Sequence, residues 1–257
     1  MHVKELFDLT GKVAIVTGGG RGLGEQIAKG FAEAGANVVL CSRNVEACNE
    51  ISNELKKLDV ESLAFKCDVT NQDEVQHVVN QTFEKFGRID ILVNNSGASW
   101  GAPAEEMPIE AWNKVFNVNV TGTFLMSKAV GKIMIEQKSG KIINIASVAG
   151  LKGSNPKYLD AIGYSASKGA VVNFTRDLAV KWGPKGINVN AIAPGFFPTK
   201  MSKDVIAHGK DAILEATPLK RFGSENDLKG VALFLAAPAS DYVTGEIVVV
   251  DGGSSAM

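Results

Sequence analysis

The chain has 257 residues, 45% of them hydrophobic and 21% charged, which suits one large α/β domain with a substantial core. Its 27 basic and 28 acidic residues leave a formal net charge of −1, no electrostatic footprint for nucleic acid or an anionic membrane. Cys41, Cys48 and Cys67 lack C-x-x-C spacing, and His2, His77 and His208 form no His-x-x-x-His pair. Neither a disulfide framework nor a zinc-dependent dehydrogenase is therefore expected, and no metal site is assigned.

In chain order, Met1–Leu9 carries His2, Lys4, Glu5 and Asp8 and has no apolar signal core. No later stretch approaches the ~18 apolar residues of a membrane span, so a cytoplasmic location is expected. Lys12–Val16 reads as a first strand, followed by a glycine turn and a helix to about Ala34. Asn37–Cys41 is a second strand. A helix at 45–58, a strand at 62–67, a helix at 71–86 and the strand Ile89–Val93 follow. One long helical pattern then runs from Glu110 to Gln137, ahead of the strand Lys141–Ile145. A helix bearing Tyr164 extends to about Trp182, before a strand at 187–192. Residues 195–224 are polar and broken by Pro198 and Pro218, and 196–224 reads as a mobile lid over a substrate. A helix at 226–236 and the strand Glu246–Val250 end the pattern. Strands with near-continuous apolar runs, alternating with helices, predict a single doubly wound Rossmann-type domain, parallel in its sheet and covered on both faces.

The turn after the first strand reads Thr17-Gly18-Gly19-Gly20-Arg21-Gly22-Leu23-Gly24 and opens a helix. Glycines there permit close backbone approach, and a helix N-terminus offers amides and positive dipole to a pyrophosphate. The G-x-G-x-x-G register is not met; Gly18-x-x-x-Gly22-x-Gly24 is, and a purely structural turn remains the alternative. The second strand ends in Cys41-Ser42-Arg43-Asn44, with no acid before Glu46. A carboxylate there would repel a 2′-phosphate, whereas Ser42, Arg43 and Arg21 would welcome one. NADP(H) is expected over NAD(H), unless Arg43 is only a solvated surface residue.

Tyr164 and Lys168 lie four residues apart, so on a helix phenol and ammonium share one face. A cation beside a phenol favours the phenolate, suiting the tyrosine to exchange a proton with an alcohol. Ser147 lies upstream at the end of Ile145-Ala146-Ser147.

With these motifs the chain resembles the short-chain dehydrogenase/reductase family over nearly its whole length. The matching residues are the Thr17–Gly24 loop, Asp68, Asn94-Asn95-Ser96-Gly97, Asn119, Ser147, Tyr164 with Lys168, Pro194-Gly195 with Thr199, and Val250-Asp251-Gly252-Gly253. Ser96 departs from the alanine usual there. The resemblance implies seven parallel strands, a bound nicotinamide cofactor, and homotetramers or homodimers built through the long helices after strands four and five. It implies a catalytic set of Asn119, Ser147, Tyr164 and Lys168, with Asn119 holding a water that links Lys168 to solvent. The cofactor would be held by Gly18, Gly20, Arg21, Gly22, Leu23, Gly24, Ser42, Arg43, Asp68, Val69, Asn94, Asn95 and Gly97. Tyr164, Lys168, Pro194, Gly195, Phe197 and Thr199 would complete its site. For Asp68 and Asn119 a structural role, as turn cap or helix bend, stays open.

Ser147 and Tyr164 are 17 residues apart, several more than the family usually has, and the extra length falls within Leu151–Asp160. An enlarged loop beside the substrate is expected, with Trp100, Tyr158, Phe196 and Phe197 as candidate pocket walls. Overall similarity favours reduction of 3-oxoacyl thioesters or similar ketones. Of two basic positions with which carrier-protein reductases dock their partner, one corresponds to Lys138 and the other to Val180, which weakens a carrier-protein substrate. A polyol or sugar-acid dehydrogenase of the gluconate 5-dehydrogenase type is the second reading. A non-catalytic, NADP(H)-sensing binding protein is the third, although such proteins commonly lack the tyrosine present here.

Overall fold

The computed structural model describes residues 2–256. Seven strands run parallel: β1 (Val13–Thr17), β2 (Asn37–Ser42), β3 (Ser62–Lys66), β4 (Ile91–Asn94), β5 (Gly140–Ile145), β6 (Ile187–Pro194) and β7 (Ile247–Val250). They lie in the order β3-β2-β1-β4-β5-β6-β7. The chain direction across the sheet reverses between β1 and β4, which opens a crevice at the strand C-termini where open α/β sheets bind ligands.

Strand pleating sends alternate residues to opposite faces, and each face needs its own cover. Ala14 and Val16 of β1 join Ile27 and Phe31 of α1 (Gly22–Glu33), Ile51 of α2 (Val45–Leu55) and Leu235 of α8 (Lys229–Ala236). Ile15 turns to the other side, toward Val78 of α3 (Gln72–Phe86), Met126 of α5 (Gly122–Gln137) and Leu178 of α6 (Ile162–Trp182). The doubly wound parallel sheet expected from the sequence is therefore the observed architecture.

Two elements differ from expectation. The long pattern at 110–137 is not one α-helix: α4 (Ile109–Phe116) passes through five π-helical residues, Asn117–Thr121, into α5. Such a bulge gives the backbone one widened turn, and such turns gather at functional sites. The polar stretch after β6 also contains a helix, α7 (Lys203–Glu215). Val205, Ile206, Ala212 and Ile213 give it helical spacing, with Gly209 and Ile213 its buried residues.

Candidate active site

β1 ends at Thr17, whose hydroxyl accepts the backbone N–H groups of Asn95 and Ser96, each at 2.9 Å, and so stitches β1 to the loop after β4. The Asn95 amide donates to the carbonyls of Thr17 (2.9 Å) and Gly18 (3.2 Å). This contact explains Gly24, where an added Cβ would stand 2.4 Å from that amide nitrogen. Gly18 and Gly22 take φ of +63° and +59°, the left-handed region that turns the chain into α1. The amides at the start of α1 then face the crevice.

A Cβ built at Gly97 meets nothing closer than the Asn119 Oδ1 at 3.5 Å and the Met201 methyl at 3.8 Å. Opposite, Thr199 lies across from Gly22, its Cγ2 3.4 Å from a Cβ built there. At the outer end Arg21 and Arg43 are exposed, and Ser42 donates to the Asn44 carbonyl at 2.7 Å and accepts from the Cys48 thiol at 3.2 Å. Asp68 Oδ1 accepts the backbone N–H (3.0 Å) and hydroxyl (2.8 Å) of Thr70, a turn cap. Burial raises the Asp68 carboxyl, but the Thr70 bonds and the Arg43 charge outweigh it and hold the group below its usual range. Val69 is buried beside it, against Gly122 at the start of α5.

Two expected cofactor contacts are placed otherwise. The Asn94 side chain turns into the core, where its amide donates to Ser127 (3.0 Å) and Asn144 (2.9 Å), so only its backbone remains for a cofactor. The Phe197 ring packs in the main core on Gly223, so its side chain is held away from the crevice surface. The reason is local: β6 ends at Pro194, and Gly195 donates its N–H to the Val250 carbonyl at 2.9 Å. That pairing holds the following turn so that Phe196, not Phe197, faces the loop before Tyr164.

The catalytic candidates converge on the ends of β5 and α6. Ser147 leaves β5 in extended backbone and caps the short turn Val148–Gly150, accepting the Ala149 N–H at 3.2 Å. The Tyr164 phenol lies near the Ser147 hydroxyl, and the Lys168 Nζ lies 5.7 Å from the Tyr164 ring centroid. The shared helix face is as expected; the lowered phenol is not. Burial pushes Tyr164 up from its ordinary value, and the neighbouring Ser147 hydroxyl pulls it only part of the way back. Lys168 is buried and donates to the Ile145 carbonyl at 2.6 Å, and burial pulls its ammonium down to about 8. Desolvation acts on both groups and disfavours both charges.

Asn119 sits in the π-helical turn with every side-chain function engaged. Its Oδ1 accepts the Ala98 N–H at 2.7 Å, and its Nδ2 donates to the Ala98 carbonyl (2.9 Å) and the Ser167 Oγ (2.8 Å). Any water held for Lys168 must therefore use the Asn119 backbone carbonyl, which already accepts the Thr123 hydroxyl at 2.8 Å. Sequence reasoning missed two supporting residues. Ser167, fully buried, accepts from Asn119 and donates to the Tyr164 carbonyl at 2.7 Å; its signal was a polar side chain on the face shared with Gly163 and Val171. At Gly150 a Cβ would fall 2.5 Å from the Lys168 carbonyl carbon, a close approach with no periodic signature.

A phenol, a hydroxyl and a buried ammonium beside a dinucleotide crevice define an oxidoreductase acting on CH–OH or C=O groups. The family model described as enoyl-(acyl carrier protein) reductase matches residues 18–255. A 3-oxoacyl-[acyl-carrier-protein] reductase of Synechocystis is 41% identical over 95% of this chain and 97% of its own. A 2-dehydro-3-deoxy-D-gluconate 5-dehydrogenase of Pseudoalteromonas atlantica is 40% identical over 97% and 98%. Among solved structures, a gluconate 5-dehydrogenase from Burkholderia cenocepacia in complex with NADP and tartrate superposes with a TM-score of 0.94 at 34% identity, covering all of both chains. The chain belongs to the short-chain dehydrogenase/reductase family.

Proposed function

We propose that this protein interconverts a ketone and a secondary alcohol with NADP(H), using Ser147, Tyr164, Lys168 and Asn119. The observation that carries the reading is the convergence of Tyr164, Ser147 and Lys168 at the end of β5. Bound in the crevice, the nicotinamide supplies the hydride for reduction and accepts it in oxidation. Ser147 hydrogen-bonds the carbonyl oxygen and steadies its developing charge. Tyr164, kept neutral by burial, donates the proton from its phenol in the reductive direction. Lys168 binds the nicotinamide ribose and, through a water on the Asn119 carbonyl, restores that proton. Exposed Arg21 and Arg43 with Ser42 suit a 2′-phosphate, in keeping with the NADP held by the Burkholderia relative.

Two substrate classes fit relatives of nearly equal similarity: 3-oxoacyl thioesters, as in the Synechocystis reductase, and sugar acids, as in the Pseudoalteromonas dehydrogenase. Lys138 is exposed at the end of α5, but Val180, 78% exposed, offers no charge to an acidic carrier protein. Among the described residues no helix is long and apolar enough to cross a membrane, in keeping with a cytoplasmic enzyme. The test is purified protein with NADPH and then NADH against acetoacetyl-CoA, 5-ketogluconate and a simple aryl ketone. Reduction with NADPH preferred is expected. A strong NADH preference refutes the arginine argument, and no turnover with any carbonyl refutes the reading.

A further inference from the structure

The long segment between Ser147 and Tyr164 is tied down along its length. Ala102, in the loop after β4, donates to the Asp160 carbonyl at 2.9 Å and forms a parallel bridge with Ala161. Lys152 donates to the Ser254 carbonyl near the C-terminus. Between these ties stands Tyr158, whose ring meets Phe196 edge-on, centroids 6.0 Å apart at 84°. Its backbone lies directly on α7: a Cβ built at Gly209 would stand 2.7 Å from the Tyr158 Cβ and 3.3 Å from its Cα. Gly209 is buried on α7, one turn before the buried Ile213, so this contact helps to seat α7. The loop after β4, the segment before Tyr164 and the lid therefore form one continuous rim above the ends of β4, β5 and β6.

We propose that Tyr158 is a specificity-determining residue, seating the lid on the enlarged loop so that the chamber takes compact ketones enclosed beneath α7. A ketone at the end of a long thioester arm must pass its arm out through this rim, of which Tyr158 forms part. The proposal rests on the ketone-reductase reading above and narrows its substrate class.

Two variants test it. Gly209→Ala wedges a methyl between α7 and Tyr158, while alanine favours the helix itself, so unfolding is not its expected effect. Tyr158→Gly removes the ring and the atom the wedge strikes. The parent is expected to favour the better of 5-ketogluconate and the aryl ketone over acetoacetyl-CoA by at least ~tenfold in kcat/KM, worth about 1.4 kcal/mol. Gly209→Ala is expected to raise KM for the compact ketone with NADPH affinity unchanged, and the double variant to recover part of that loss. Tyr158→Gly is expected to narrow the compact-over-thioester ratio at least ~tenfold. In both single variants trypsin is expected to cut faster at Lys200, Lys203 and Lys210. A parent that prefers acetoacetyl-CoA overturns the inference and leaves the ketone-reductase reading standing, as does a ratio unmoved in both variants. A parent that reduces none of the three overturns both.

Discussion

Lys168 is the residue at which stability and function oppose each other most directly. Its ammonium is buried, and the fall from 10.5 to about 8 corresponds to about 3 kcal/mol of burial cost, at about 1.4 kcal/mol per pH unit. A lysine depressed on folding binds fewer protons in the native than in the unfolded state between those two pH values, so stability rises with pH there. Below about pH 8 the cost is present in full. Lys168→Met is therefore expected to stabilise the cofactor-free protein at pH 7 by about 1–2 kcal/mol, after allowing for the Ile145 carbonyl left without its donor. Calorimetry across pH checks this: the gain should shrink from pH 8 upward, and a variant less stable than the parent at pH 7 would sink the argument. Tyr164→Phe isolates the proton step. Turnover is expected to fall by roughly 10²–10⁴-fold while NADPH still titrates by fluorescence. Because burial holds the phenol neutral, reduction should hold up to about pH 8 and weaken above it as Lys168 loses the proton it passes on, whereas alcohol oxidation should climb with pH as phenolate forms. A reduction rate that falls away between pH 6 and 8 would contradict that assignment.

The element that organises the site is the π-helical turn between α4 and α5. By widening one turn it places Asn119 where a single amide fastens the loop at Ala98 to Ser167, and Ser167 to the Tyr164 turn of α6. Asn119→Ala strands the Ala98 N–H and carbonyl and removes a donor from Ser167, at an expected cost of about 2–4 kcal/mol. Ser167→Ala, which leaves the Ala98 clamp intact, should cost less than half as much. Urea midpoints of the two variants measure this, and equal losses would mean that the clamp carries little of the stability. Tyr164, Lys168 and Ser147 were legible in the sequence because four-residue spacing and strand-end position are local properties. The glycine loop was legible because Gly18 and Gly22 sit at a strand-to-helix turn. The π-helical turn was not, since α-helical periodicity passes through Asn117–Thr121 without a break in the apolar pattern. Nor was the inward turn of Asn94: the partners that capture it, Ser127 and Asn144, are 33 and 50 residues away. The raised phenol escaped for the same reason, because burial is set by the packed site and the four-residue spacing shows only the cation.

At the scale of the whole molecule, the helices that carry the site leave apolar surface uncovered. Ile109 on α4, Phe124 on α5 and Ile162 and Val180 on α6 are all exposed, on the face of the sheet that also carries α3. α5 and α6 also meet closely, since a Cβ at Gly131 would enter the Trp182 ring. On the outer face of α5 Phe124 is the exposed apolar residue, with Lys128 over its ring and Lys132 and Glu136 further along. A second patch lies at the far edge, where Val249 of the edge strand β7 and Tyr242 are exposed. Two separate patches on one chain permit two different two-fold contacts, and two two-folds make a tetramer. We propose that the enzyme is a homotetramer whose first contact is made by α4, α5 and α6. Phe124→Glu sets carboxylates into that contact, and light scattering after gel filtration is expected to show the parent mass falling to that of a dimer. Because Asn119 and Tyr164 lie on the same helices, turnover should fall with the mass, and the parent's melting temperature should rise with protein concentration. A parent that runs as a monomer at micromolar concentration would refute the assembly, and a variant of unchanged mass would move the contact away from α5.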